Sequence, residues 1–263
     1  MYKAFRLNLQ DIQQVVNTYH LYGQKQSLEI QKKMEPGLKK YMTTGGILDG
    51  QKIMDDWFSQ VNVDVFISHS HRDIKGVHAL SGWLYKTFGL TSFIDSDIWG
   101  YCDNLIKEMD KIYSTNAKGD LDYGKIRETT AHVHVMLMSA LAKMINKTEC
   151  LFFLDSDQSI SVRDITLKTR SPWIYNELLI SSMIRPQEIT RKQFRIQDNL
   201  ILFERREFSA TEMMIDYPVV HKHMKKIPWP ELYDWKALYD RYKNQSTTSY
   251  HKFPLDVLYW LKR

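Results

Sequence analysis

The stretch of sequence that decides the fold is Val63-Asp64-Val65-Phe66-Ile67-Ser68-His69-Ser70-His71-Arg72-Asp73. Residues 63–67 form a short run of mostly β-branched and aromatic side chains, which is typical of a central strand covered on both faces. Residues 68–73 place hydroxyl, imidazole and guanidinium groups directly after that strand. Because ligands of open α/β sheets bind at the carboxyl ends of the strands, the stretch predicts a buried strand that ends in a polar binding loop.

Strand and helix patterns alternate along the chain after this stretch. Strands are predicted over 90–94, 149–154, 199–203 and 215–220, and helices over 76–88, 104–113, 126–145 and 171–183. Two of these helices carry an apolar stripe at helical spacing: Val77, Leu80, Leu84 and Phe88 in one, and Val133, Leu137, Leu141 and Met144 in the other. The alternation predicts an α/β fold, a parallel sheet with helices on both faces.

Residues 1–60 are predicted to form an N-terminal helical segment, because the first residues lead into helical patterns over 8–33 and 48–58. The first helix has a capping-box-like start at Asn8 and Asp11. The sheet domain is expected over 61–235, with an inserted helix near 126–146. Residues 236–263 are expected to form a helical tail docked on this domain.

Composition bounds the function classes. The chain has 263 residues, 43% of them hydrophobic, which is enough for a sizeable core. A net charge of +5, from 36 basic and 31 acidic residues without a dense basic stripe, permits an anionic small molecule and argues against a nucleic-acid partner. Two isolated cysteines, Cys102 and Cys150, favour a reducing compartment, and Cys150 is predicted to lie in the core because it opens an apolar run. With no signal peptide or membrane span in the sequence, the cytoplasm is predicted and a membrane partner is not.

A second motif, Ser171-Pro172-Trp173-Ile174-Tyr175-Asn176-Glu177-Leu178, starts a predicted helix. Ser171 can cap this helix, and Pro172 fits its first turn. Trp173 and Glu177 are four residues apart and therefore share one helix face. Taken alone, a helical glutamate is most often a solvated surface charge.

A third motif, Phe93-Ile94-Asp95, ends the second predicted strand and opens a polar loop over 95–103. Together and in this order, the three motifs resemble a TIR (Toll/interleukin-1 receptor) domain. They correspond to its first strand, its BB loop and its W-x-x-x-E helix, and they cover roughly residues 62–220. The chain departs from the family pattern in a longer stretch over 114–146 and in an extended loop over 166–170.

The resemblance implies a flavodoxin-like sheet and the activity of prokaryotic, NAD-cleaving immune TIR proteins such as those of Thoeris systems. It implies that Glu177 is the catalytic residue of an NAD+ nucleosidase, of the ADP-ribosyl hydrolase or cyclase type, with NAD+ as substrate and no cofactor. It further implies a substrate-binding set of Phe66, Ser68, His69, Ser70, Arg72, Asp95, Trp99, Gly100, Tyr101 and Trp173. For Arg72, a contact with the diphosphate and an ion pair with Asp73 or another nearby acid both stay open.

This chemistry requires few groups, because the cationic nicotinamide of NAD+ leaves as a neutral molecule without a general acid. One carboxylate can stabilise the positive charge that develops on the ribose. The resemblance also implies self-association through TIR domains and a separate effector that reads an ADP-ribose-derived signal in antiphage defence. Two alternatives stay open: a non-enzymatic TIR interaction module and a nucleoside deoxyribosyltransferase-like enzyme.

Other site classes have weaker sequence support. Three His-x-His pairs occur, but no cysteine or acid completes a zinc spacing, so no metal is predicted; the pairs are His69/His71, His132/His134 and His221/His223. Ser68, His69 and Asp73 lie close in sequence, yet no G-x-S-x-G elbow accompanies them. No phosphate-binding glycine loop of the P-loop or dinucleotide type is present.

Overall fold

A computed structural model describes residues 1–31, 41–42, 47–116, 118–163, 166–187, 215–243 and 253–262. Its centre is a five-stranded parallel sheet, which confirms the predicted α/β class. The strands of this sheet are β1 (Lys3–Asn8), β2 (Val65–Ser68), β3 (Ser92–Ile94), β4 (Cys150–Asp155) and β8 (Met224–Lys226), in the spatial order β3-β2-β4-β1-β8. A separate antiparallel sheet contains β5 (Ser161–Arg163), β6 (Thr166–Thr169) and β7 (Tyr217–Pro218).

Helices cover both faces of the parallel sheet. They are α1 (Leu9–Gln31), α2 (Gly50–Trp57), α3 (Ile74–Phe88), α4 (Ser96–Tyr113), α5 (Tyr123–Lys147), α6 (Pro172–Met183), α7 (Trp229–Lys243) and α8 (Pro254–Leu261). One apolar cluster joins α2, α4, α5 and α6 to one face, and a second joins α1, α3, α7 and α8 to the other. The stripes predicted for α3 and α5 are buried in these clusters, as expected.

The first residues of the chain form a strand and then lead into α1, so the helix predicted over 8–33 is present at Leu9–Gln31, but the segment 1–60 is not helical throughout. β1 pairs in parallel with β4 on one side and β8 on the other. Phe5 and Leu7 are buried on the face covered by α1 and α3, whereas Ala4 is buried on the opposite face. This alternation is the period of a strand buried on both sides. The sheet therefore takes a strand from the segment that the sequence assigned to helices.

Helix α1 follows directly and lies unusually close to α3. A Cβ atom built on Gly82 would lie 2.1 Å from the carbonyl oxygen of Tyr19, and one built on Gly23 would lie 1.9 Å from that of His78. Only a residue without a side chain allows the two backbones to approach this closely. The pair of glycines thus fixes α1 against the sheet domain.

At the other end, α7 runs across the boundary expected at residue 235. Trp235 is fully buried and stacks on Phe88 at a centroid distance of 4.0 Å. Helix α8 buries Leu255, Val257 and Leu258 in the same cluster, so the predicted docked tail helix is confirmed.

Three further expectations differ from the structure or lie outside it. Residues 95–103 were expected to form a loop, but α4 begins at Ser96. Residues 166–170 were expected to extend a loop, but they include β6, and the strand expected over 215–220 is β7 of the antiparallel sheet. The strand expected over 199–203 lies outside the described residues. In the described part of the chain, no helix has both the length and the apolar character that crossing a membrane requires.

Candidate active site

The register of β2 and β3 brings two polar residues together at the carboxyl edge of the parallel sheet. Phe66 pairs with Phe93 and Ile67 pairs with Ile94, so Ser68 and Asp95 come next, side by side. Side chains alternate along a strand, and Phe66 and Phe93 stack on the face covered by α4, α5 and α6. Ser68 therefore faces the same helices, whereas Asp95 follows the end of β3 and already has helical backbone angles.

This edge is also where the chain changes direction across the sheet. From β2 the chain moves outward to β3, and it then returns past β2 to form β4. Strands whose connections leave in opposite directions open a crevice at their carboxyl ends, and such crevices are the usual ligand sites of open α/β sheets.

Helix α6 delivers Glu177 to this position. The side chain of Ser171 caps the helix by accepting a hydrogen bond from the Ile174 amide, and Pro172 occupies the first turn, as predicted. Glu177 is fully buried, and the Ser68 hydroxyl donates a hydrogen bond of 2.6 Å to its Oε2 atom. The general expectation that a helical glutamate is a solvated surface charge is therefore wrong for Glu177.

The surroundings of Glu177 favour its protonated form. Burial raises the pKa of Glu177 well above 4.5, the negative charge of Asp95 raises it further, and the hydrogen bond from Ser68 opposes both effects. A side-chain hydrogen bond between Glu177 and Asp95 also raises this pKa. Such a bond needs a proton on one of the two carboxyl groups. We call these two groups the Glu177–Asp95 pair.

His69 extends the polar network on the far side of Asp95. Its imidazole is buried, with Nδ1 2.7 Å from Asp95 Oδ1 and Nε2 3.1 Å from the Ser96 hydroxyl. The contact with Asp95 has the distance of an ion pair, but Oδ1 receives no well-aligned hydrogen bond in the described structure. The same ring nitrogen lies 3.3 Å from the carbonyl oxygen of Ile67. Nδ1 therefore points between Asp95 Oδ1 and the Ile67 carbonyl oxygen, which explains why it lies close to Asp95 without a well-aligned hydrogen bond to it.

The outer rim of the site is more exposed. Ser70 is half-buried and precedes a 3₁₀ turn over His71–Asp73. Arg72 is exposed and donates a hydrogen bond of 3.0 Å to the side chain of Gln158, so the ion pair with Asp73 left open by the sequence is not formed. Asp73 instead accepts a hydrogen bond from the Ser156 hydroxyl.

Trp173 lies one helical turn before Glu177 and is half-buried. The ring of His134 on α5 meets the ring of Trp173 edge to face, at a centroid distance of 5.3 Å and an interplanar angle of 83°. Trp173 and His134 therefore form an aromatic wall beside the glutamate. The sequence indicated the tryptophan but not the histidine.

The structure brings together Ser68, His69, Asp95 and Glu177, all of which the resemblance had assigned to the site. It does not bring Phe66 there, because this ring is fully buried in the core, where it stacks on Phe93 at 5.4 Å. The backbone of Trp99, Gly100 and Tyr101 belongs to α4, but their side chains lie outside the description. Sequence reasoning missed Ser96 as the partner of His69, although its position directly after Asp95 was the available signal.

The histidine pairs do not form a recognisable metal centre. Within the described ranges, no group of three histidine, cysteine or acidic side chains has a metal-binding arrangement. His221 Nδ1 lies 3.0 Å from the Val219 carbonyl oxygen, and His223 Nε2 lies 2.8 Å from the Ser181 hydroxyl. Both cysteines are buried free thiols, and burial raises the pKa of Cys102 to about 11. The prediction that Cys150 is a core residue is confirmed.

Comparisons of the chain with protein-family models, with curated proteins and with solved structures find no match.

Proposed function

We propose that this protein is a TIR-type NAD+ nucleosidase that breaks the bond between nicotinamide and ribose. The observation that carries the proposal is the position of Glu177. Its carboxyl group lies at the carboxyl edge of a parallel sheet, held at 2.6 Å by the last residue of β2 and next to Asp95. A buried acid with a strongly perturbed pKa at such an edge is typical of a reacting group.

In the proposed reaction, the bond between ribose C1′ and the pyridinium nitrogen breaks, and its electron pair leaves with neutral nicotinamide. The Glu177 carboxylate stabilises the positive charge that develops on the ribose. Water adds to C1′ and loses a proton, which gives ADP-ribose. An internal nucleophile of the substrate in place of water gives a cyclic product.

The rim supplies groups for the rest of the nucleotide. Arg72 is exposed, four residues after Ser68, and its side-chain partner among the described residues is the neutral Gln158. A guanidinium group pairs well with a diphosphate. Trp173 offers an aromatic surface beside Glu177 for a flat ring.

A second candidate is a non-enzymatic TIR interaction module. The specific observation in its favour is the complete burial of Glu177, because a substrate must reach this carboxyl group. In the enzymatic proposal, the site opens when copies of the chain associate, so activity rises with protein concentration. The remaining parts of the proposal are a cytoplasmic location, a role in antiphage defence and a separate effector that reads the product.

The test is nicotinamide release from NAD+ by purified protein over a series of protein concentrations. Glu177→Gln keeps the size of the side chain, and we expect it to slow release at least about a hundredfold. Asp103→Asn is the matched control, since it removes one acidic charge from an exposed position on α4. Equal release by Glu177→Gln and wild type removes Glu177 from catalysis, and no release at any concentration favours the interaction module. Base exchange between deoxynucleosides, measured in parallel, identifies the transferase alternative.

A further inference from the structure

We infer that Asp95 is a positioning residue that acts through Glu177, because the two carboxyl groups share one proton while the site is closed. This inference rests on the proposed function for its catalytic consequence. It differs from the expectation of the resemblance, in which Asp95 borders the nucleotide, since Asp95 is 3% exposed and faces Glu177.

The first support is the accounting of hydrogen bonds. Glu177 Oε1 and Asp95 Oδ1 are buried acceptors that receive no well-aligned hydrogen bond from the described residues, even though His69 Nδ1 lies 2.7 Å from Oδ1. Unsatisfied buried polar atoms are costly. The side-chain hydrogen bond between Glu177 and Asp95, with one proton in it, gives each carboxyl group a further partner. The register of β2 and β3 makes this contact possible, because it sets Asp95 beside Ser68, the residue that holds Glu177.

The second support is the asymmetry of the two environments. Asp95 has the imidazole of His69 at 2.7 Å, and a histidine can hold a positive charge beside a carboxylate. Glu177 has the neutral hydroxyl of Ser68 as its donor. The proton therefore resides on Glu177, the carboxyl group without an imidazole neighbour.

Among the described residues, few other ionisable side chains lie near this pair. His71 lies in the turn after β2, where burial lowers its pKa, the charge of Asp95 opposes this effect and His69 lowers the pKa further. From α5, His134 reaches Trp173, one turn before Glu177. Among the charged side chains described, Asp95 is the one that acts on the ionisation of Glu177.

A consequence for catalysis follows. Glu177 stabilises a cationic ribose only after it has lost the shared proton, so nicotinamide release falls on the acid side of its pH profile. Asp95→Asn removes the negative charge and offers an amide donor to Glu177, both of which favour the carboxylate. We expect the acid limb to move to lower pH, with release about tenfold faster than wild type on that limb.

The experiment follows the proton directly and the rate separately. Infrared difference spectra against Glu177→Gln reveal the carbonyl stretch of a protonated Glu177, and the pH profile of nicotinamide release is measured on the same proteins. We expect the band at neutral pH in wild type and in the control Asp103→Asn, and we expect it to titrate at lower pH in Asp95→Asn, together with the acid limb.

Absence of a protonated-carboxyl band in wild type at neutral pH overturns the inference, and this result needs no folded Asp95→Asn protein. Identical titration of the band in wild type and folded Asp95→Asn also overturns it, whatever the rate of NAD+ cleavage. The expected band with no release by any variant supports the shared proton and overturns the proposed function alone.

Discussion

Replacing Glu177 with glutamine is expected to stabilise the fold, by an amount that grows with pH. In the folded protein, burial and Asp95 raise the pKa of Glu177 well above its ordinary value of 4.5. Above pH 4.5 the unfolded chain has lost this proton while the folded chain still holds it. The stabilisation from the proton is therefore complete below about pH 4.5 and is lost as pH rises towards the raised pKa.

The size of the effect follows from linkage. One proton bound on folding lowers the free energy of unfolding by about 1.4 kcal/mol for each pH unit in this window. This slope is set by the difference of one bound proton, and the size of the pKa shift decides only how far up the pH scale it extends. Glutamine can accept the hydrogen bond from Ser68 and donate one to Asp95, so it reproduces the protonated network without a titrating proton. The free energy of unfolding of the variant should therefore exceed that of wild type by an amount that grows by about 1.4 kcal/mol per pH unit.

The assay is thermal and urea unfolding of wild type and Glu177→Gln from pH 4.5 upward. For a chain of this size, the difference in Tm should grow by about 3–6 °C per pH unit until the pH reaches the raised pKa of Glu177. Asp103→Asn, at an exposed site, should show a difference that stays nearly constant with pH. A constant difference for Glu177→Gln as well would show that Glu177 ionises normally in the folded protein, which refutes the account of the site.

Three further predictions concern the network and the fold. Ser68→Ala leaves a buried carboxyl oxygen without its donor, so the free energy of unfolding should fall by about 1–3 kcal/mol and the acid limb of nicotinamide release should move to higher pH. Gly82→Ala forces a Cβ atom to 2.1 Å from the Tyr19 carbonyl oxygen, so the free energy of unfolding in urea should fall by about 3 kcal/mol or more. The control is Gly50→Ala, whose Cβ atom meets nothing within 4 Å and whose free energy of unfolding should stay within about 1 kcal/mol of wild type. Phe5→Ala should cost about 3–5 kcal/mol in the same assay, and a loss near zero would show that the first strand is dispensable.

The sequence was sufficient to place two members of the site. The run that ends at Ser68 is short and apolar, and strand alternation places Ser68 on the same face as Phe66. Asp95 follows the end of β3 with helical backbone angles, so the resemblance and not alternation assigned it to the site. The helix that carries Glu177 could be placed from its serine cap and its proline.

The burial of that glutamate could not be deduced in the same way. The apolar residues of α6, which include Ile174, Leu178 and Ile180, are distributed around the whole helix. Their periodicity therefore does not distinguish a buried face from an exposed one. Only the packing of α6 against the end of β2 decides that Glu177 points inward. The burial of Glu177 thus depends on tertiary packing and not on the local sequence.

The sequence patterns did not predict β1 or the start of α4, and the reason in each case is local. β1 has six residues and passes directly into a helix of 23 residues that begins after Asn8, so the longer helical pattern masks the short strand. The start of α4 resembles a loop because Asp95, Ser96 and Gly100 disfavour helix interiors, although the same acidic and hydroxyl residues are common at helix starts.

The central claim is that Glu177 is the group that acts on the nicotinamide–ribose bond. The most direct measurement is the amount of labelled nicotinamide released from NAD+ by self-associated wild-type protein and by Glu177→Gln at equal concentration. The account predicts turnover by wild type and a loss of at least about a hundredfold in the variant. Equal release by the two proteins contradicts it.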